Sequence, residues 1–244
     1  MIHKNKEQAK NKERFFAVAL LLSASLLLSG LWRCAHAGLF SSTETLRYRV
    51  TVAVETPEGL KVGSAVREAG MYHEERILPG QGGTTYNVLK GEAVVVNLEK
   101  RGVLFFLIGL RGHQSEAEMI FANMGNKNKI MLTQDQYGDF VRFRDMNDPK
   151  TIENVCKQED LNKIKRAHPY RSVVSFEDAF GSSVSVRGIS VEITDHLVTW
   201  KIEKYLPWLK NTRGYISGKS VASGREWYKQ LSSDVFLRRL DNGF

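Results

Sequence analysis

A run of 17 uncharged residues near the N-terminus, FFAVALLLSASLLLSGL, most constrains how this chain can fold. It begins at Phe15, ends at Leu31 and follows a polar segment rich in lysine. As a helix the run would extend about 25 Å, near the lower limit for crossing a bilayer. A cationic flank ahead of such a run stays in the cytoplasm. We therefore predict a membrane-targeting helix that directs the rest of the chain out of the cytoplasm.

The residues after this run leave three fates open for the leader. Ala35 and Ala37 form the small-x-small pattern of a signal-peptidase site, which predicts release to the periplasm after Ala37. Trp32 and Arg33 are bulky for that position and favour an uncleaved inner-membrane anchor with a periplasmic C-terminal domain. Lipid attachment at Cys34 is the third possibility.

Charge and cysteine content narrow the class of the exported part. The sequence predicts a signal peptide or anchor at 1–37, a linker at 38–45 and one exported domain at 46–244. The net charge is +8, but half of it lies in residues 1–37, and the mild remainder argues against a nucleic-acid partner. Loss of Cys34 on cleavage would leave Cys156 as a lone thiol, which we expect to be buried as a small hydrophobe.

Hydrophobic alternation predicts several strands in the exported domain. Apolar side chains alternate along 47–55, and a TPEG turn predicts a hairpin over 47–68. Further strands are expected at 86–98, with an interruption near Lys90 and Gly91, at 103–108, buried on both faces, and at 140–143. A long strand over 184–193 shifts phase at Gly188, which indicates a β-bulge.

Helical spacing and capping residues predict the remaining elements. Asp148 and Pro149 predict a helix start with Ile152, Val155 and Cys156 facing the core. Helices are also expected at 160–167, at 198–209 with a kink or end at Pro207, and at the C-terminus from 227 to about 239. The predicted class is α+β: a single β-rich domain with an antiparallel or mixed sheet and late helices, preceded by the membrane-targeting helix.

Three stretches resemble a family of uncharacterised exported or lipoprotein-like proteobacterial proteins. They are RYRVTVAVETPEGLKVGSAV at 47–66, KGEAVVVNL at 90–98 with GVLFF at 102–106, and EITDHLVT at 192–199 with LPWL at 206–209. The resemblance implies a location in the cell envelope and implies no activity. Members often carry a lipid-attachment cysteine after the apolar run, and the residues before Cys34 depart from that pattern.

The motifs that could carry chemistry are incomplete. Gly218, Lys219 and Ser220 resemble the end of a phosphate-binding loop, but Arg213 stands where its first glycine belongs. The cluster at 72–75 (YHEE) alternates faces if extended, so its members cannot share one metal ion. The segment 145–149 resembles a calcium loop but has Pro149 where a ligand belongs.

Two further features bear on catalysis: the nucleophile-elbow motif is absent, and a few acidic residues lie near one another in the sequence. No G-x-S-x-G is present. The neighbours Glu177 and Asp178, and the pair Asp135 and Asp139, are expected to be surface acids. We therefore assign no catalytic, cofactor-binding or metal residue and predict no cofactor.

The function predicted from the sequence is that of a non-enzymatic envelope protein. It would be held at the outer face of the inner membrane through residues 15–31, or released from it, and would act by binding another protein or envelope component. An exported hydrolase of unrecognised type is one alternative. The other is a small-ligand binding module with a pocket between the sheet and a helix at 200–209, a segment whose aromatic residues favour core packing over an exposed patch.

Overall fold

The computed structural model describes residues 41–74, 83–109, 115–123, 129–169, 171–216 and 231–239. The predicted membrane-targeting helix, the three leader fates and the phosphate-loop-like segment lie outside these residues. None of the described helices is long and apolar enough to cross a bilayer. The described residues fall into two compact units: residues 41–42, 72–74 and 83–84 belong to the smaller, and all the others belong to the larger.

The described residues form two β-sheets. The strands are β1 (Ser41–Thr56), β2 (Gly59–Glu74), β3 (Gly83–Glu92), β4 (Val94–Asn97), β5 (Val103–Phe106), β6 (Lys129–Met131), β7 (Phe140–Phe143), β8 (Ile152–Cys156), β9 (Val173–Ser175), β10 (Ser185–Ile193) and β11 (Leu237–Arg238). One sheet has the order β11-β3-β2-β1-β10-β6, and the other has the order β4-β5-β7-β8-β9. The predicted β-rich fold is confirmed. The second sheet is mixed, because β8 and β9 run parallel while its other pairs run antiparallel.

The predicted hairpin at 47–68 is confirmed as β1 and β2. The alternating apolar residues of β1 are at most 1% exposed, because the period of two directs all of them to the inner face. The Thr56 hydroxyl donates to the carbonyl of Gly59 at 2.7 Å across the turn. Gly59 has a φ of 110°, a conformation that a side chain would disfavour.

The predicted bulge in β10 is confirmed. Ala53 of β1 pairs with Gly188, whereas the next residue, Val54, pairs with Val186. Arg187 is therefore the extra residue. The long strand keeps its apolar side chains on the inner face on both sides of this irregularity.

The chain leaves the first sheet at Ala93, where β3 ends and β4 begins. The break predicted near Lys90 and Gly91 is wrong by a few residues, because both lie inside β3. The amide of Ala93 instead donates to the carbonyl of Phe236 at 2.7 Å. The apolar run at 103–108 is confirmed as a buried strand, since β5 lies between β4 and β7.

Two apolar cores follow from this arrangement. Inward residues of β1 and β10 pack with Leu104 and Phe106 of β5 and with Phe140 of β7 in the first core. The opposite face of the second sheet forms the other core, where Phe105 and Phe143 lie at 5.7 Å in an edge-on arrangement. β5 and β7 are thus covered on both faces, which explains why their sequences are apolar without alternation.

Three α-helices lie in the described residues: α1 (Glu116–Asn123), α2 (Gln158–Ala167) and α3 (Phe176–Phe180). The helix predicted at 160–167 is confirmed as α2, which ends at Ala167 with His168 as its C-cap, just before Pro169.

The helix predicted from Asp148 and Pro149 is wrong. Asp148 does cap the turn by accepting from the amide of Lys150 at 2.9 Å, and Pro149 does occupy its first position. The turn ends after three residues, because the following segment pairs with β7 as β8. Ile152, Val155 and Cys156 are buried, but on a strand.

The helices predicted late in the chain are also wrong wherever they are described. Only 3-10 turns at Ile202–Lys204 and Pro207–Asn211 form in the segment 198–209, with Pro207 starting the second turn. Near the C-terminus, Ser233–Val235 is a 3-10 turn and Arg238 lies in β11, paired with Gly91 of β3. Edge pairing there replaces the predicted helix end.

Candidate functional site

An open cleft of about 660 Å³ lies in the larger unit. Its walls come from the turn at 134–138, the C-terminal end of β8, the first residues of α2 and α3, and the first residues of β10. These elements meet because the parallel pair β8–β9 places the starts of both following helices at the same edge of the sheet. The volume falls in the range of small-molecule sites.

The floor of the cleft is apolar and partly aromatic. Phe140 of β7 lies against Phe176 of α3, with ring centroids 5.7 Å apart, and against Tyr137 at 6.3 Å. Val155 and Val184 complete the floor beside them. These residues belong to or pack against the first core, so the floor is anchored by the packing that holds the sheets together.

The rim of the cleft is acidic. Four carboxylates line it, at Asp135, Glu159, Asp160 and Glu177, against the single ammonium of Lys157. Lys157 Nζ already contacts Glu159 Oε1 at 3.4 Å and the side-chain oxygen of Gln134. A hydrogen bond from the Thr133 side chain lowers the pKa of Asp135 from its ordinary value. The lining therefore has a formal charge of −3 on a chain whose total is +8.

Asp135, Asp160 and Glu177 make no ion pair with any residue that the structure describes, and only Asp135 has the hydrogen bond from Thr133; the other two carboxylates are Asp160 and Glu177. Each lies in the first turn of a helix, Asp160 in α2 and Glu177 in α3. Acidic side chains are common in the first turn of a helix, where they lie near the positive end of its dipole. Ser175 fixes the start of α3 by accepting from the amide of Asp178 at 3.0 Å. Both carboxylates are therefore held at the rim without a protein cation.

Cys156 lies where β8 enters the cleft. Its residue is only 7% exposed, its Sγ lies 3.7 Å from the carbonyl of Val174, and it packs with Leu161 and Val173. The prediction that this thiol is buried as a small hydrophobe is confirmed. No histidine is among the residues that line the cleft, so this lining offers the thiol no imidazole base.

A second group of charges is fully buried near α1. Arg67 Nη1 donates to Glu116 Oε1 at 2.6 Å, and the Tyr48 hydroxyl donates to the same oxygen at 2.7 Å. The amide of Gly109 donates to Glu116 Oε2 at 2.7 Å, and Arg67 Nε donates to the carbonyl of Glu92. Burial, and then the charge of Glu116, raises the pKa of Tyr48 well above its ordinary value. Every member thus has a partner, and we call this set the Arg67 network.

The aromatic segment at 200–209 is mainly part of the core, as predicted. Leu206 and Leu209 are at most 1% exposed, and the indole of Trp208 donates to the carbonyl of Met146 at 3.1 Å. Trp200 is 43% exposed. The helix predicted at 200–209 is wrong, because the segment forms 3-10 turns, and the cleft described above has none of its residues in the lining. The pocket predicted beside this segment stays a prediction.

The acidic residues noted in the sequence separate into two kinds. Asp135 and Glu177 line the cleft, whereas Asp139 contacts Arg171 at 3.6 Å and Asp178 lies outside the lining. The four rim acids come from three separate segments, so no local motif marks them as a group.

The remaining clusters in the sequence have local roles. His73 Nδ1, in the smaller unit, lies 3.0 Å from the hydroxyl of Thr84. Asp145 accepts from the amide of Asn147 at 2.9 Å, as in a turn. Among the described residues, no three histidine, cysteine or acidic side chains lie close enough to hold a metal ion.

No model of a known protein family, no curated protein and no solved structure matches this chain. The resemblance to exported proteobacterial proteins therefore stays a prediction.

Proposed function

We propose that the protein is a non-enzymatic binding protein whose cleft takes a small, partly apolar molecule. The observation that carries this proposal is the cavity of about 660 Å³ over a floor of Tyr137, Phe140 and Phe176. A site of this size, apolar at its base and polar at its rim, has the composition of small-molecule pockets. The proposal selects the small-ligand alternative over binding of another envelope protein.

Binding is a better account of the lining than hydrolysis. The nucleophile in the cleft wall, Cys156, is buried against Leu161 and Val173 and has no imidazole beside it in the lining. Nucleophilic catalysis needs a base or a lowered thiol pKa.

The test is a ligand screen with a blocked cleft. The purified full-length chain is screened by thermal shift against a library of small metabolites, because a ligand that binds the folded state raises the melting temperature. Ser185 lines the cleft and is exposed, so Ser185→Trp should fill it and abolish the shifts. Ser182→Trp, at an exposed position outside the lining, is the matched control. Shifts that survive in Ser185→Trp would contradict the proposal.

We also propose that the domain works in the cell envelope. The support is the uncharged run at 15–31 behind a lysine-rich flank. A C-terminal fusion to alkaline phosphatase should be active in cells, since that enzyme folds only outside the cytosol. The mass of the N-terminal peptide from a membrane fraction then distinguishes cleavage after Ala37, lipidation of Cys34 and an intact anchor. An inactive alkaline phosphatase fusion, together with an active C-terminal fusion to a reporter that works in the cytosol, would contradict this location.

A further inference from the structure

We infer that the ligand of this cleft is a small organic cation with an apolar body: an ammonium or guanidinium group attached to a ring or hydrocarbon chain. The inference depends on the proposed function and adds the chemical class of the ligand. It follows from two properties of the cleft: the rim favours a positive charge on the ligand, and the floor favours an apolar body.

The carboxylates of the rim favour a positively charged ligand. The lining of the cleft has a formal charge of −3, opposite in sign to the net charge of the chain, and a cluster of negative charge attracts cations. Asp160 and Glu177 have no ion-pair partner among the described residues, whereas the carboxylate of Glu153 lies within 3.5 Å of both Arg142 and Arg144. A ligand cation would supply the missing partner.

The apolar side chains of the floor favour a ligand with apolar surface. Tyr137 is half-buried and presents its aromatic ring, and the buried side chains of Phe140, Phe176, Val155 and Val184 line the cleft beside it. Contact with these side chains removes ligand hydrocarbon from water, and aromatic rings also attract a cation. A bare inorganic cation would leave this surface unused.

The other two ligand classes fit less well. An anion would find one ammonium, Lys157, which already contacts Glu159 and Gln134, and would face four carboxylates. A neutral apolar molecule would use the floor but leave Asp160 and Glu177 without partners. Electrostatic complementarity therefore selects the cation.

Three probes of one shape separate these classes: 1-naphthylmethylamine, which is cationic at pH 7, 1-naphthylmethanol, which is neutral, and 1-naphthoate, which is anionic. Binding to the full-length chain is followed by naphthalene fluorescence, with Ser185→Trp as the blocked reference. We expect the amine to bind about tenfold tighter than the alcohol, equivalent to about 1.4 kcal/mol. Its affinity should fall with added salt, whereas that of the alcohol should not.

Single carboxylate changes test the residues themselves. Glu177→Gln and Asp160→Asn should each weaken the amine about fivefold and leave the alcohol unchanged, since each removes one charge from the rim. Asp178→Asn removes the same charge next to Glu177 but outside the lining, so it should change neither probe. Unchanged melting temperatures would show that all three variants fold.

Four results would overturn the inference: equal binding of amine and alcohol, tightest binding of the naphthoate, equal effects of Asp178→Asn and Glu177→Gln, or binding of none of the probes. If amine and alcohol bind equally and Ser185→Trp abolishes the binding of both, the cationic ligand is rejected but the ligand-binding cleft is supported. The library screen decides the proposed function separately, because it does not depend on the charge of the probe.

Discussion

The Arg67 network and the acidic cleft both gather charged side chains, but they satisfy them differently. In the network, Arg67 and Glu116 are at most 3% exposed, and donors from Tyr48 and Gly109 occupy both oxygens of the carboxylate. The packing is close: a Cβ added to Gly91 would lie 2.6 Å from Cγ of Arg67. In the cleft, Asp160 and Glu177 surround open space without an ion-pair partner from the described residues.

This difference separates a structural charge cluster from a binding one. Moving an ion pair out of water costs several kcal/mol per ion, and the pair persists only when its remaining hydrogen bonds are made. The Arg67 network meets that condition within the protein, so its effect should appear in folding stability. The rim of the cleft stays hydrated and partly unpaired, so its effect should appear in ligand affinity. The four predictions that follow test this separation, from the largest expected effect to the smallest.

Arg67→Met should cause the largest loss of stability, about 3–5 kcal/mol, because Glu116 would remain as a buried charge without its cation. Urea unfolding measures the loss. Arg187→Met breaks an exposed pair with Glu55 and should cost about 0–1 kcal/mol. Adding Glu116→Leu to Arg67→Met should recover much of the stability. Equal losses in the two single variants would mean that the Arg67 network is no more structural than a surface pair.

Tyr48→Phe should cost about 1.5–3 kcal/mol, since it removes a hydrogen bond to an ionised carboxylate. The pKa of Tyr48 is raised in the folded state, so its contribution is complete below the ordinary value of 10.0 and is lost as the pH rises above it. The stability difference between wild type and Tyr48→Phe should therefore shrink above pH 10. Urea unfolding at pH 8 and pH 10.5 measures it, and a difference independent of pH would contradict the burial of this hydroxyl.

Asn154 tests the comparison from inside the second sheet. Its side chain is fully buried, yet neither its Nδ2 nor its Oδ1 makes a hydrogen bond with the described residues. Asn154→Leu, of similar shape, should stabilise the fold by about 1–2 kcal/mol by removing an unpaired amide. The control is Asn97→Leu, which removes the side-chain oxygen that accepts from the amide of Glu99. Stability should fall in this variant. Thermal unfolding decides, and a loss in both variants would contradict the unpaired state of Asn154.

How far the sequence predicted the fold depended on how local the signal was. The β1–β2 hairpin, the bulge near Gly188 and the core position of Leu206 and Leu209 were predictable, because alternation and turn residues act within a few positions. The helix expected after Asp148 failed because a local cap was present but pairing with β7 determined the following residues. Tertiary contacts outweighed the local preference.

The candidate site was less predictable than the fold. Asp135 and Glu177 were noted in the sequence as surface acids, and Cys156 as a buried thiol, but nothing in the sequence brings them to one cleft. The carboxylates belong to segments joined only by the parallel pairing of β8 and β9 and by β10. A site built from several segments without a fixed spacing has no motif, so the sheet order had to be known first.

The smallest effect is expected at Glu58, whose charge is partnered as in the Arg67 network but exposed to solvent. Its carboxylate accepts from Nε and Nη2 of Arg101, both at 2.8 Å, and these hydrogen bonds lower the pKa of Glu58 from 4.5 to about 2. A lowered folded-state pKa means that the contribution is present above pH 4.5 and is lost as the pH falls towards 2.

Urea unfolding of wild type and Glu58→Gln between pH 2 and pH 6 should therefore show a small stability difference that disappears at the acidic end and shrinks with salt. Glu99→Gln, which removes an exposed partner of Lys61, is the matched control and should cause a smaller loss of stability at pH 6, since Lys61 offers one contact where Arg101 offers two. If the stability difference between wild type and Glu58→Gln persists at pH 2, it comes from packing of the side chain and not from its charge, which would contradict the prediction.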